Sequence, residues 1–155
     1  MDTELKLRMQ EEGIHPISID TPFSMGQVNC YLIEGNPLTL IDAAVRTDSA
    51  KNELSRTIEK LGYEVADIER IYLTHAHPDH LGLVNWIKER AEADVYVSPH
   101  ELDLATDFEG EMKRFRELAR DLMLRCGVPE ELYNELVGTM RRFGPPFEPI
   151  AAHSV

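Results

Sequence analysis

Four side chains of the kinds that bind metal ions stand within six positions of this chain. They are the ligand-type residues of the run Thr74-His75-Ala76-His77-Pro78-Asp79-His80, namely His75, His77, Asp79 and His80. Imidazole nitrogens and carboxylate oxygens together suit zinc and its first-row neighbours. The alternative is a solvated polar loop, but that does not explain a concentration of histidine, the commonest metal ligand, rather than lysine or glutamate. The spacing therefore predicts a metal-binding loop.

The local chain must bring these ligands to one place. Pro78 disfavours helical backbone at His77, so His75 and His77 are expected on extended chain with both side chains on the same side. A turn at Pro78 and Asp79 then brings Asp79 and His80 round to the same pocket. That pocket should lie near the positive end of a helix beginning at about Gly82.

Residues outside the loop are expected to hold it in place. The apolar run Ile71-Tyr72-Leu73 predicts a buried strand that ends where the ligands begin. Thr74 and Asp42 are expected to hydrogen-bond the ligands from behind.

The first two thirds of the chain alternate between strand and helix patterns. Short apolar runs separated by turn residues predict strands at 14–19, 28–33, 38–41, 71–74 and 95–97. The first three should form an antiparallel start to a sheet. Apolar residues at helical spacing predict helices after Thr47 and after Gly82. This order indicates helices packed on a sheet.

Residues 100–143 are almost wholly helix-forming. Phe115, Leu118, Leu122 and Cys126 fall on one helix face, which Gly127 ends. Amphipathicity alone favours packing of this face against the domain's own core. The alternatives are a lid over the site or a helical interaction module.

Composition excludes several classes of protein. The formal net charge of −12 argues against a general affinity for nucleic acid or anionic membrane. No apolar run resembles a signal peptide or a membrane span. The two cysteines, Cys30 and Cys126, form no zinc-binding spacing. We therefore expect a single-domain, reduced, cytoplasmic protein.

The run His75-x-His77-x-Asp79-His80 resembles the signature of the metallo-β-lactamase superfamily of metallo-hydrolases. Upstream, Asn29-Cys30-Tyr31-Leu32-Ile33 and Leu40-Ile41-Asp42-Ala43 are similar to that family's early strands, and the resemblance covers about residues 14–100. It implies an α/β protein of the α+β type, an αββα sandwich with a dinuclear zinc site at one edge.

The resemblance also implies roles for the four ligands. His75 and His77 would bind the first of up to two zinc ions, and Asp79 and His80 the second. A metal-activated hydroxide would attack the substrate, with Asp79 as the catalytic residue that positions it or relays its proton. A histidine at position 77 and another at 80 make the pattern more similar to thioesterases, lactonases and related esterases, which act on small molecules. The nuclease branches share the motif, but the net charge of −12 makes them less favoured.

The family's remaining ligands have no clear counterpart in the chain. A histidine in a Gly-His turn, a bridging aspartate and a late histidine are expected downstream; His153 and His100 match only by type, and otherwise look like a terminal and a helix-start residue. Residues 1–155 are therefore expected to be one truncated domain, with strands, helices and metal loop at 14–99 and a helical insertion at 100–143. A homo-oligomer should cover the bare sheet face. The alternative function is an incomplete fragment that only binds metal weakly or oligomerises.

Overall fold

The computed structural model describes residues 3–24, 26–143 and 148–154. Six strands are found in these ranges: β1 (Ile14–Asp20), β2 (Gln27–Ile33), β3 (Thr39–Ile41), β4 (Arg70–Leu73), β5 (Asp94–Val97) and β6 (His153–Ser154). The α-helices there are α1 (Thr3–Glu11), α2 (Asp48–Lys60), α3 (Pro78–Leu81), α4 (Val84–Lys88), α5 (Leu102–Thr106), α6 (Phe108–Arg125) and α7 (Glu130–Phe143). A 3₁₀ turn spans Val65–Asp67.

The six strands form one sheet in sequence order, from β1 at one edge to β6 at the other. β1, β2 and β3 are antiparallel, whereas β3 to β6 run parallel. The antiparallel start is the arrangement predicted from the short intervals between the first three strands. The parallel strands need longer crossovers, and α2 and the α3–α4 segment supply them.

One face of the sheet holds the core. Alternation along each strand sends every second apolar side chain to this face, where α2 and α4 cover it. Leu54 and Ile58 of α2 and Ile87 of α4 are fully buried. Burial of each such side chain contributes about 1.5–3 kcal/mol. The hydroxyl of Thr47 accepts a hydrogen bond from the Ala50 N–H at 3.1 Å, which fixes the start of α2.

The opposite face carries one row of side chains that crosses all six strands. Register places Pro16, Tyr31, Ile41, Tyr72, Tyr96 and His153 side by side. The Tyr72 and Tyr96 rings stack at 5.2 Å between centroids, and the Arg70 guanidinium lies over both rings. Five of these residues are half-buried and His153 is exposed, so this face is partly open to solvent.

The structure adds two elements that the sequence does not predict. The helix expected at about Gly82 is α4, but the short helix α3 precedes it, because Pro78 occupies the first turn of α3 with His77 as its N-cap. The sequence predicts no strand after residue 97, yet His153–Ser154 pairs with Tyr96 and Val97 as β6. The segment before β6 is anchored by a hydrogen bond from the Ile150 N–H to the Ala105 carbonyl at 3.0 Å.

The helical region differs from the favoured expectation. Phe115, Leu118 and Leu122 of α6 are exposed, so this helix face does not pack against the domain's core. α6 contacts α7 instead, where the buried Tyr133 donates its hydroxyl to the Arg116 carbonyl at 2.7 Å. In the part of the chain the structure describes, no helix is both long and apolar enough to cross a membrane.

Candidate metal centre

The four predicted ligands lie on the connection from β4 to α3. His75 lies on a bend just after β4, His77 has extended backbone, and Asp79 and His80 lie on the first turn of α3. The structure brings their side chains together. The His75 ring centroid lies 4.5 Å from that of His77 and 4.1 Å from that of His80. Asp79 Oδ2 is 3.7 Å from His80 Nε2.

A single buried carboxylate, Asp42, organises the rear of this cluster. Its Oδ2 accepts a hydrogen bond from His80 Nδ1 at 2.8 Å. Its two oxygens also accept from the backbone N–H and the hydroxyl of Thr74, each at 2.8 Å. Only 3% of Asp42 is exposed, so these partners replace water around the charge. The prediction that Thr74 and Asp42 support the ligands from behind is confirmed.

These bonds decide which ring nitrogens carry protons. A carboxylate only accepts, so His80 must bear its proton on Nδ1, and Nε2 keeps a lone pair. The Thr74 hydroxyl donates its one hydrogen to Asp42, so its oxygen accepts from His75 Nδ1 at 3.0 Å. His75 therefore also keeps a lone pair on Nε2. Asp42 thus sets the tautomer of His80 directly and that of His75 through Thr74.

The pKa values of the two histidines move in opposite directions. Burial, followed by repulsion from the His80 and His77 rings, lowers the pKa of His75. The hydrogen bond to Asp42 raises the pKa of His80. Neutral imidazole is the form that binds metal.

Backbone hydrogen bonds join the loop after β3 to the segment that carries His80. The Ala43 N–H donates to the His80 carbonyl at 2.6 Å, and the Gly82 N–H donates to the Ala44 carbonyl at 2.8 Å. Asp42 and Ala44 have positive φ values of 58° and 51°, a conformation that costs free energy for residues with a side chain. A Cβ on Gly82 would lie 2.4 Å from the Arg46 backbone nitrogen, so only glycine allows this approach.

The donor set fits zinc as two separate pairs. Two nitrogens on one tetrahedral zinc stand about 3.3 Å apart, given Zn–N bonds of about 2.0–2.1 Å. His75 Nε2 and His77 Nδ1 are 3.1 Å apart, and Asp79 Oδ2 and His80 Nε2 are 3.7 Å apart. In the described residues, however, no group of three or more His, Cys, Asp or Glu side chains is arranged to hold one ion. Binding of an ion by either pair stays a prediction.

A cleft of about 410 Å³ opens beside Asp79 and His80. Its walls come from the loop after β1, from β2, and from Asp42 and Thr74. The residues that line it are Thr21, Gln27, Val28, Asn29, Tyr31, Asp42, Thr74, Asp79 and His80. Gln27, Asn29 and Tyr31 share the open face of the sheet, because side chains on a strand alternate between its two faces.

The two weaker histidine candidates lie elsewhere. His100 is exposed on the turn after β5. His153 lies on β6 against Tyr96, with 5.9 Å between ring centroids. In register His153 aligns with Tyr72, three residues before His75, a separation of about 10 Å along a strand. Their service as ligands remains a prediction.

One residue at the site, Glu101, was not predicted from the sequence. It stands just before α5 and accepts a hydrogen bond from the Ala76 N–H at 2.9 Å, between the first two ligands. Ala76 is fully buried, so this bond fixes the backbone that aims His75 and His77. A glutamate 25 residues away carries no local signal of such a contact.

Comparison with known proteins identifies the family. The family model of the metallo-beta-lactamase superfamily matches residues 24–154. The chain belongs to the metallo-beta-lactamase superfamily. The probable metallo-hydrolase YqjP of Bacillus subtilis is 33% identical over 127 residues, which cover 78% of this chain and 37% of YqjP. This superfamily match confirms the resemblance predicted from the ligand run and the early strands.

Two further similarities agree with it. The probable polyketide biosynthesis zinc-dependent hydrolase PksB of B. subtilis is 30% identical over 90 residues, covering 58% of this chain and 37% of PksB. A metallo-beta-lactamase family protein of Thermus thermophilus superposes with a TM-score of 0.62 at 31% identity, covering 91% of this chain and 46% of that protein. The predicted fold class is confirmed. The chain spans less than half the length of each of these relatives.

Proposed function

We propose that the whole protein is a zinc-dependent hydrolase of ester, thioester or lactone bonds, and that this chain carries the first part of its site. The observation that carries the proposal is the paired arrangement of donors, with Asp42 holding both His75 and His80 in the tautomer that leaves Nε2 free. Such a carboxylate behind a ligating histidine is typical of zinc sites. The zinc-dependent hydrolase PksB is a relative of the same superfamily.

The residues of this chain would have different roles at the site. His75 and His77 would hold one zinc ion, and Asp79 and His80 the other. Bound zinc supplies a water of lowered pKa and polarises the scissile carbonyl. Asp79 is 15% exposed at the cleft, where its carboxylate would accept a proton or orient water. Asp42 and Thr74 orient the two histidine rings so that Nε2 of each would be available to a metal ion.

The lining of the cleft favours a neutral acyl substrate. Among the described residues that line it, none is lysine or arginine, whereas phosphodiester recognition relies on such cations. The side chains of Thr21, Gln27, Asn29 and Tyr31 offer uncharged donors and acceptors that suit an ester, thioester or lactone carbonyl. The lining of the cleft therefore favours an acyl hydrolase over the nuclease branches of the same superfamily.

The test is a hydrolysis panel of thioesters, lactones and phosphodiesters, with and without added zinc. We expect zinc-stimulated turnover of the acyl substrates, reduced at least about 100-fold by Asp79→Asn, which keeps the shape and removes the charge. His100→Ala is the matched control, since His100 lies outside the ligand cluster. Turnover of phosphodiesters alone, or acyl turnover insensitive to Asp79→Asn, would contradict the proposal.

A second candidate function is weak metal binding without turnover. It is favoured by the absence, within the residues described, of any group of three ligands around one position. Two donors per ion hold zinc less firmly than the three or four protein ligands of known zinc sites. Calorimetric titration with zinc separates the candidates: weak, His77-dependent binding with no hydrolysis on the panel would support this one. Two tightly held ions per chain would exclude it.

A further inference from the structure

The most exposed large apolar side chains among the described residues lie on α6. Phe115, Leu118 and Leu122 follow one another along one side of this helix and are 59%, 69% and 59% exposed. We call these three residues the α6 stripe. The opposite side of α6 packs on α7, so the stripe faces away from the hairpin's own contact. Exposed apolar surface of this kind marks a site of association.

Charge distinguishes α6 from the rest of the molecule. The whole chain carries a net charge of −12, which makes two copies repel each other. α6 itself contains five basic and four acidic residues, a net charge of +1. The charges on α6 are therefore nearly balanced, unlike those of the chain as a whole.

The charges beside the stripe are also self-complementary. Arg114 lies four residues before Leu118 and Asp121 lies three residues after it, so both flank the stripe on the same side of the helix. Two α6 helices packed antiparallel about an axis near Leu118 would set Phe115 of each copy opposite Leu122 of the other. Arg114 of each copy would then meet Asp121 of the other. In a parallel two-fold pair, the charged flanks of the two helices would lie on opposite sides of the seam, and this contact would not form.

We propose that α6 is a homodimer interface, in which the stripes of two copies pack antiparallel and the Arg114 and Asp121 side chains pair across the two-fold axis. The surface at a two-fold interface must be complementary to itself. The α6 stripe with Arg114 and Asp121 beside it meets this requirement. The occupant is thus a second copy of this chain. The sequence predicts self-association over the bare sheet face. The exposed apolar side chains instead favour an interface on α6.

The first test compares two leucines by sedimentation velocity over a concentration series. Leu118→Glu places two carboxylates near the proposed axis and should weaken dimerisation by about tenfold or more. Leu7→Glu is the matched control, because Leu7 on α1 is similarly exposed at 57% but lies outside the stripe. It should leave the dimer unchanged. Far-UV circular dichroism confirms that both variants keep their helices.

The second test exchanges charges. Arg114→Asp and Asp121→Arg should each weaken self-association, since each creates two like-charge contacts across the axis. An equimolar mixture of the two variants should restore dimers, because every contact is then between opposite charges. Arg114 also pairs within its own helix with Glu111, so rescue by mixing separates the interface from a local effect on the helix.

Several results would overturn the proposal. One is a monomer at all concentrations. Another is a dimer that ignores Leu118→Glu and the charge exchange, which would place self-association on the sheet face instead. A third is α6-dependent binding to phosphatidylcholine–phosphatidylserine vesicles without dimerisation, which would make the stripe a lipid-contacting face.

Discussion

The metal loop and the α6–α7 hairpin are built on opposite principles. Behind the loop, contacts between residues far apart in sequence hold the backbone and two of the side chains, as when Asp42 binds both Thr74 and His80. In the hairpin, ion pairs such as Arg114 with Glu111 join residues one helical turn apart, and α6 buries no residue fully. The first region is determined by tertiary packing and the second mainly by local helix formation.

This difference has a functional meaning. Ligands for a metal must be held to within a fraction of an ångström, so the loop tolerates two strained residues, Asp42 and Ala44, that the surrounding bonds compensate. The hairpin instead leaves apolar side chains in contact with solvent, which is useful only for a surface that meets another surface. Substitutions should therefore have large effects in the first region and small ones in the second.

Two glycines give the largest expected contrast. Gly82→Ala places a methyl group 2.4 Å from the Arg46 nitrogen and 2.8 Å from the Ala44 carbonyl oxygen, both backbone atoms. We expect it to lower the free energy of unfolding by at least about 3 kcal/mol, because the loop must separate from α3. Gly138→Ala, on α7 with open space around it, should raise stability by about 0.5–1 kcal/mol.

Urea unfolding followed by circular dichroism measures both changes. Equal effects of the two substitutions on the free energy of unfolding would show that the loop after β3 deforms at little cost. The metal loop would then be no more rigid than the hairpin. A loss at Gly138 would show that the hairpin has packing partners beyond those described here.

We expect a smaller effect on the free energy of unfolding from a substitution of Asp42, the carboxylate behind the predicted ligands. Asp42→Asn keeps the shape and tolerates the positive φ of 58°, but its amide nitrogen cannot accept from His80 Nδ1. The ring should change tautomer and lose its free Nε2. We expect zinc affinity to fall about 10–100-fold, with a stability loss of only about 1–3 kcal/mol.

Nitrogen NMR of the histidine rings gives the direct check, since it distinguishes protonated Nδ1 from protonated Nε2. Wild-type protein should show Nδ1 protonated at His80 and His75. If Asp42→Asn left both tautomers and the zinc affinity unchanged, the role assigned to Asp42 would be wrong.

The sequence predicts well what local patterns encode. Strands β1, β2, β4 and β5 follow from apolar runs, and the ligand cluster follows from residue type and spacing. The support by Asp42 and Thr74 was also foreseen, because donors and acceptors beside metal ligands have few other uses.

The parts not foreseen depend on contacts between distant residues. Glu101 reaches Ala76 across 25 positions, and β6 follows a segment anchored by the hydrogen bond from Ile150 to Ala105. The short helix α3 has a different cause. Proline disfavours helical backbone at the residue before it, yet it suits the first helical position, which Pro78 takes in α3.

The smallest effect that we expect is a difference in thiol reactivity between the two cysteines, one in the sheet and one in the hairpin. Burial raises the pKa of the Cys30 thiol, on β2, from its ordinary value of 9.0 to about 12, whereas Cys126 at the end of α6 is exposed. Ellman's reagent at pH 8 should label one thiol in the folded protein and two after denaturation, and Cys126→Ser should remove the fast reaction. Because unfolded Cys30 ionises near its ordinary value and the folded thiol does not, its contribution to stability should fall as pH rises from 9 towards 12. Rapid labelling of Cys30 would mean that the sheet opens as readily as the hairpin, and the two regions would then not differ in rigidity.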